Sequence, residues 1–252
     1  MAVVYTDKPL SLIQTPHNRT GKTDDFTIDA SHMAVVHNVL IRSYNSIYQQ
    51  APHIQPVDYA DFVGYCLAWH EMVQGHHDSE EAVLFPGIEE VTGVKGIMDG
   101  EKAEHAALYA GLSSLATYLG TCRAQPKTFN ASALLSIMDA FAPAFATHLA
   151  NEPPALASLS TYAFDIKALS AKTAEYSMAR TSTFNLLPML WYNLDVEFEG
   201  GKWRDFPPVP APMRWVLVNI LGRWQARWWR FGTCGADGKR IELLALREGY
   251  PA

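Results

Sequence analysis

The chain has 252 residues, 48% hydrophobic and 18% charged, which gives enough apolar side chain for a packed core and excludes global disorder. Its formal net charge is -6 with no block of Lys or Arg, which argues against nucleic acid or an anionic membrane surface as partner. The three cysteines, Cys66, Cys122 and Cys234, are widely spaced with no C-x-x-C pair, so neither a disulfide framework nor a thiolate zinc site is expected. The start of the chain lacks a basic region followed by an apolar one, and no stretch reaches the roughly 18 apolar residues of a membrane span. The expectation is a soluble, cytoplasmic protein.

Residues 1–27 are polar, contain Pro9, Pro16 and Gly21, and read as an arm. Ile28–Gln50 carries helical apolar spacing through Val36, Leu40, Tyr44 and Ile47, with Asp29 as expected N-cap and Pro52 as stop. Val57–Val91 is a second helix with the stripe Phe62, Tyr65, Trp69 and Met72 or Val73, and with Gly75 and Pro86 as weak points. Ile97–Gly120 is a third, with Leu108, Leu112, Leu115 and Leu119 on one side and Gly120 as C-cap. Phe129–Pro154 is a fourth, capped by Asn130 and kinked at Pro143, with Pro153-Pro154 ending it or opening the next segment. Four long amphipathic segments imply an all-α, antiparallel up-down-up-down four-helix bundle over residues 28–155. A further helical stretch, Ala155–Met178, follows. Then come a Gly/Pro-rich loop, Glu197–Pro212, and a Trp-rich helical segment, Met213–Gly232. Residues 156–252 lack an obvious core of their own and read as a helical, Trp-rich cap on the bundle, or as an interaction surface. No repeat at a solenoid period is visible.

Several polar residues do not belong in a bundle core. Residues four apart on a helix share a face. His76 and Glu80 therefore project together, as do His77 and Glu81, Glu101 and His105, and His148 and Glu152. His37 stands in "VVHNVLI", among residues that should face the core. One such pair alone is usually a solvated surface pair. The same pairing on three successive helices points instead to a shared metal site, because charge inside a bundle must be paired or bind cations. Carboxylates and imidazoles suit iron, manganese or zinc rather than thiolate-preferring metals, and a carboxylate can bridge two ions. His70 shares a face with His77 and reads as a hydrogen-bonded structural histidine. His32 is about 140° from His37 around its helix. His17 and His53 fall in expected loops.

With these residues in view, the chain resembles the hemerythrin-like (HHE cation-binding) family, in a form that looks like those of filamentous fungi. "HHDSEEAVLFP" (His76–Pro86) is similar to the family's second-helix motif, "HNVLIRSYNSIY" (His37–Tyr48) to the first, "AEHAAL" (Ala103–Leu108) to the third and "HLANE" (His148–Glu152) to the fourth. The resemblance implies a non-haem di-iron centre. Its ligands would be His37, His76, Glu80, His105, His148 and Glu152, with Glu80 and Glu152 bridging, and His77 and Glu81 standing behind them or facing solvent. The oxygen-carrying members place a histidine where this chain has Glu101. Glu101 either faces water and leaves an open metal position, or completes a set of four histidines and three carboxylates that commits O2 to chemistry. Tyr44, Tyr65, Trp69, Met72 and Tyr109 either line a pocket, with Trp191, Tyr192, Trp203 and the "RWQARWW" run as its lid, or are packing residues. The function expected is an iron-dependent oxidoreductase that binds and activates O2 and oxidises a small apolar organic molecule. The alternatives are a non-catalytic O2 or metal carrier or sensor, and a zinc-loaded Lewis-acid enzyme. The oligomeric state is left open.

Overall fold

The structure, a computed structural model, describes residues 7–208, 215–216 and 219–250. The end of the expected Gly/Pro loop (209–212) and parts of the expected Trp-rich helix (213–214 and 217–218) lie outside the described residues. The fold is all-α, with no strand among the described residues. After a short α1 (Pro16–Thr20), the first bundle helix is α2 (Asp25–Gln50). The second is α3 (Tyr59–Ser79), continuing through one π turn (Glu80–Leu84) into α4 (Phe85–Thr92). The third and fourth are α5 (Asp99–Ala124) and α6 (Ala131–Ser158). α6 packs between α2 and α5, and α3 closes the ring against both. Two further helices, α7 (Ile166–Arg180) and α8 (Thr183–Trp191), lie across α3.

The helix limits refine the sequence expectations, and α5 runs past Gly120, its expected C-cap, to Ala124. α2 begins earlier than Ile28, because Asp24, not Asp29, is its cap: the Asp24 carboxylate accepts from the Thr27 backbone N–H at 3.0 Å. Pro86 does not end the second helix. It has no N–H for the Ala82 carbonyl, and the chain adapts by widening one turn, so that the Phe85 N–H bonds Glu80 O five residues back. Pro143, Pro153 and Pro154 all sit inside α6, which runs on to Ser158. By length and composition alone, residues 131–161 could cross a membrane. Here α6 is a wall of the bundle and brings His148 and Glu152, both fully buried, into its interior.

The core has a smaller cluster around Leu84, Phe85, Ile88 and Met98 and a main one that runs through the bundle. Tyr44, Tyr65 and Trp69 are fully buried in it, so they pack the interior instead of lining an open pocket. Trp69 stacks against Phe141 and donates its indole N–H to Leu40 O at 3.0 Å. The cap shares this core through Met189, Leu194, Trp229 and Phe231. Polar side chains fasten it: Tyr65 donates to Asn193 at 2.9 Å, Gln50 donates to Phe231 O at 3.0 Å, and Ser46 bonds the same carbonyl. The arm is fastened likewise. Asn38 and Asn45, two turns apart on α2, each grip one arm residue at both its N–H and its C=O, Ile13 and Leu10 respectively, at 2.8–2.9 Å.

The Trp-rich run does not form one long helix. Gln225, at φ 55°, breaks it before a single turn at Ala226–Trp229. That turn lies against the first half of α3, where Gly64 leaves room for the Trp228 ring. Gly64 is twelve residues before His76, roughly 18 Å along the helix, so these tryptophans do not roof the ligand histidines. Beside the later part of α3 pack α7 and the π turn.

Gly64→Ala should destabilise the protein, because the new Cβ would fall within contact distance of three Trp228 ring atoms. The clash should outweigh the roughly 1 kcal/mol that Ala gains in helix propensity. A lower Tm with faster proteolysis C-terminal to residue 208 would show this; an unchanged Tm would refute it. A second prediction concerns Asp29, which accepts from Ser170 of α7 at 2.8 Å and whose carboxyl burial pushes up to about 6. A carboxyl raised on folding supports the fold fully below its unfolded value and loses that support as pH rises through the folded value. Asp29→Asn should therefore stabilise the protein by about 1–3 kcal/mol at pH 7.5 and little at pH 4, as read by thermal unfolding at both pH values.

Candidate metal centre

The four helices deliver their polar residues to one buried place. His37 and Glu152 meet across the α2–α6 interface, with Nε2 and Oε2 3.2 Å apart. His76 Nε2 lies 3.0 Å from His37 Nε2 and 3.2 Å from Glu80 Oε1. The other Glu80 oxygen, Oε2, is 3.6 Å from His105 Nε2, which in turn is 3.1 Å from His148 Nε2. Two donor sets result, His37, His76, Glu80 and Glu152 on one side and His77, Glu80, His105 and His148 on the other. Glu80 belongs to both. Its position one turn after His76, at the mouth of the π turn, lets its two oxygens face opposite ways.

The hydrogen bonds behind these groups set which nitrogen faces inward. His37 donates Nδ1–H to Leu149 O at 2.8 Å, which turns its Nε2 lone pair to the centre. Leu149 O is free for this because Pro153, four residues on, has no N–H to offer it. His105 Nδ1 is 3.0 Å from Glu81 Oε1, which also accepts from Tyr109 OH at 2.7 Å. Glu81 and Tyr109 thus orient His105 from behind. His70 bonds Leu112 O at 3.1 Å and takes a structural role, while His32 stacks on Phe206.

Two residues stand elsewhere than expected. His77, expected behind the ligands, is buried, stacks on His105 with ring centroids 4.2 Å apart, and leaves its Nε2 without a hydrogen bond in the second donor set. Glu101, weighed as a ligand, is not in either set. It lies beside the outward nitrogen of His148, with Oε2 3.7 Å from Nδ1, and Glu104 Oε2 lies 3.4 Å from the same atom. Sequence reading passed over Glu104; its place three residues after Glu101 on the same helix face was the available signal.

The electrostatics favour cations. Neither oxygen of Glu80 or of Glu152 has a hydrogen-bond partner, although both residues are fully buried. Burial and the neighbouring Glu152 and Glu101 push the Glu80 carboxyl well above its ordinary range. For Glu152 burial acts the same way but is outweighed by the imidazole of His37, and its carboxyl falls to about 2. Burial and the surrounding imidazoles hold His76 and His77 well below the usual histidine range, as neutral, metal-binding forms. With their Nδ1 atoms bonded outward, His37 and His105 turn Nε2 toward the Nε2 atoms of His76 and His148, 3.0 and 3.1 Å away, positions from which each pair can share one cation. Two donors each about 2.1 Å from one ion at a right angle lie about 3 Å apart, which matches these separations. The residues present fit a nitrogen/oxygen-ligated first-row metal.

A cavity of about 570 Å³ opens beside the centre, between α3, the π turn and α7. Its wall includes His70, Glu71, Asp78, Glu81, Tyr176 and Arg180 beside apolar surface, and of these Glu81 touches the centre through His105.

Comparison with known proteins agrees with this geometry. The family model for the hemerythrin HHE cation binding domain matches residues 29–153, the span that holds both donor sets. The chain is also 32% identical over 247 residues to a protein described as dimeric xanthone biosynthesis cluster protein R11, from Cryptosporiopsis sp. (strain 8999). That similarity covers 96% of this chain and 93% of the relative, so it extends through the cap. No solved structure gives a significant match. Four antiparallel helices converging on two histidine and carboxylate sets, together with both matches, establish that the chain belongs to the hemerythrin HHE cation-binding domain family.

Proposed function

We propose that this chain is a non-haem di-iron protein that binds O2 and uses it to oxidise a small organic molecule. The observation that carries the reading is Glu80, whose two oxygens serve two donor sets at once. Iron in both sets would supply O2 binding and the electrons for its reduction. The chain's own residues do the rest. Glu80 and Glu152 bring two negative charges that favour the higher oxidation state. Leu149 O and Glu81 hold a proton on the outer nitrogens of His37 and His105, so that both keep their lone pairs inward. Burial excludes water: of the residues in the two sets, only His76 is more than marginally exposed, at 12%.

The same burial keeps an organic substrate from touching the centre directly. The cavity behind Glu81 offers a place for one, and its charged side chains set among apolar surface and Tyr176 suit an aromatic molecule carrying hydroxyl groups. The relative's name places it in a cluster that makes dimeric xanthones, which are hydroxylated aromatic ketones, and a phenolic substrate is in keeping with that. Three free, buried cysteines are in keeping with a cytoplasmic location.

Protein purified without added metal should carry two irons per chain by elemental analysis. Glu80→Ala, which removes an oxygen from both sets, should carry less than one, whereas Glu101→Ala should keep both. One zinc per wild-type chain would overturn the iron reading. The reduced iron protein should consume O2 irreversibly, and faster with a dihydroxylated aromatic ketone present. A reversible optical change over repeated O2 cycles, with no product, would identify a carrier instead.

A further inference from the structure

We propose that the cavity beside the centre takes an anionic ligand, a hydroxylated aromatic carboxylate, and that Arg180 selects it by its charge. The inference rests on the reading of this cavity as the place of the organic substrate. Two walls of different character face each other across it. α3 and the π turn contribute the acids Glu71, Asp78 and Glu81, and α7 contributes Tyr176 and Arg180.

The acids of the first wall are already engaged by the protein. Glu71 accepts from the Ser182 backbone N–H at 2.8 Å with one oxygen and from the Asn185 side chain at 2.7 Å with the other. Asp78 accepts from Gln74 at 2.7 Å, and Glu81 accepts from Tyr109 at 2.7 Å where it meets His105. Arg180 differs. Among the described residues no carboxylate lies within ion-pair distance of it. Its guanidinium lies over the Tyr176 ring, 3.6 Å from the ring centre. A flat cation resting on an aromatic face presents its N–H edge sideways, and that fork matches a carboxylate with two parallel hydrogen bonds.

The packing of α7 sets the two ends of the cavity. Leu169 lies over Gly87 and Thr181 over Gly75, so α7 runs antiparallel to the second bundle helix. Tyr176 is therefore level with the π turn, and the Arg180 backbone follows one turn, about 6 Å, further toward Gly75. A ring with a hydroxyl at one end and a carboxylate at the other spans that length. Its carboxylate meets Arg180, its ring packs beside Tyr176, and its hydroxyl donates toward Glu81, the residue that touches His105. The reverse orientation would place an anion among three carboxylates and is disfavoured. Charge thus both selects the ligand and aims its hydroxyl end at the centre.

The test is binding to the full-length protein, read by ligand-observed NMR titration, which needs no turnover and is independent of the metal that the centre holds. The probes are para-hydroxybenzoate and para-hydroxybenzamide, alike in shape and different in charge. Wild type should bind the benzoate about tenfold more tightly than the amide, and Arg180→Ala should abolish that preference while leaving the affinity for the amide unchanged. Arg180→Lys, which keeps the charge but not the fork, should fall between the two. Arg180 is exposed, so neither substitution disturbs the core. Equal affinity of wild type for the two probes overturns this inference and leaves the cavity as a substrate site, as does a preference that survives Arg180→Ala. Binding of neither probe overturns this inference together with the reading of the cavity.

Discussion

Two carboxylates with no hydrogen-bond donors, Glu80 and Glu152, sit at zero exposure inside an apolar bundle. An isolated buried carboxylate costs several kcal/mol even after relaxation. Everything near the centre follows from that cost. Burial presses His76, His77 and His105 toward their neutral forms, while at His148 burial is outweighed by the carboxylates beside it, which raise it, and the ring nitrogens 3.0 and 3.1 Å apart and the two carboxylates converge where positive charge is favoured. Metal binding and stability are therefore coupled, since ions that bind only the folded chain stabilise it.

Proline has a constructive part in this centre. Within a helix it deletes one hydrogen bond and leaves one carbonyl without its usual partner. At Pro153 the freed carbonyl of Leu149 becomes the acceptor that orients His37. At Pro86 the chain answers with a π turn that begins at Glu80. The extra residue in that turn separates the roles of neighbouring glutamates: Glu80 turns inward to both donor sets, while Glu81 reaches around to the back of His105. Residues that a propensity scale counts as helix breakers thus set the direction of two ligands.

The four helices were legible because their apolar spacing repeats at 3.6 residues over more than twenty residues each. The convergence of His37, His76, Glu80, His105, His148 and Glu152 was legible because polar residues recur on stripes that should be apolar. What the sequence hid has physical causes. The place of His77 depends on local winding next to a π turn, which has no period to detect. Glu101 depends on a rotamer, which spacing cannot supply. The arm looked featureless because its order comes from two asparagines two turns apart on another helix. The Trp-rich run looked like one helix because nothing in its composition marks Gln225 as a left-handed turn.

The fastening of the arm has a consequence for how the chain assembles. The backbone N–H and the hydroxyl of Thr15 both donate to the carboxylate of Glu199, at 2.9 and 2.7 Å, and Trp203 donates to it as well. Glu199 is held at φ 49° to reach them. That contact spans 184 residues, whereas the bundle is made of neighbouring hairpins within the first 158. Loop closure over such a distance is slow compared with pairing of adjacent helices. Pairing of adjacent helices is therefore expected to precede this clasp, which joins the arm to the cap only once the chain has been made as far as Glu199.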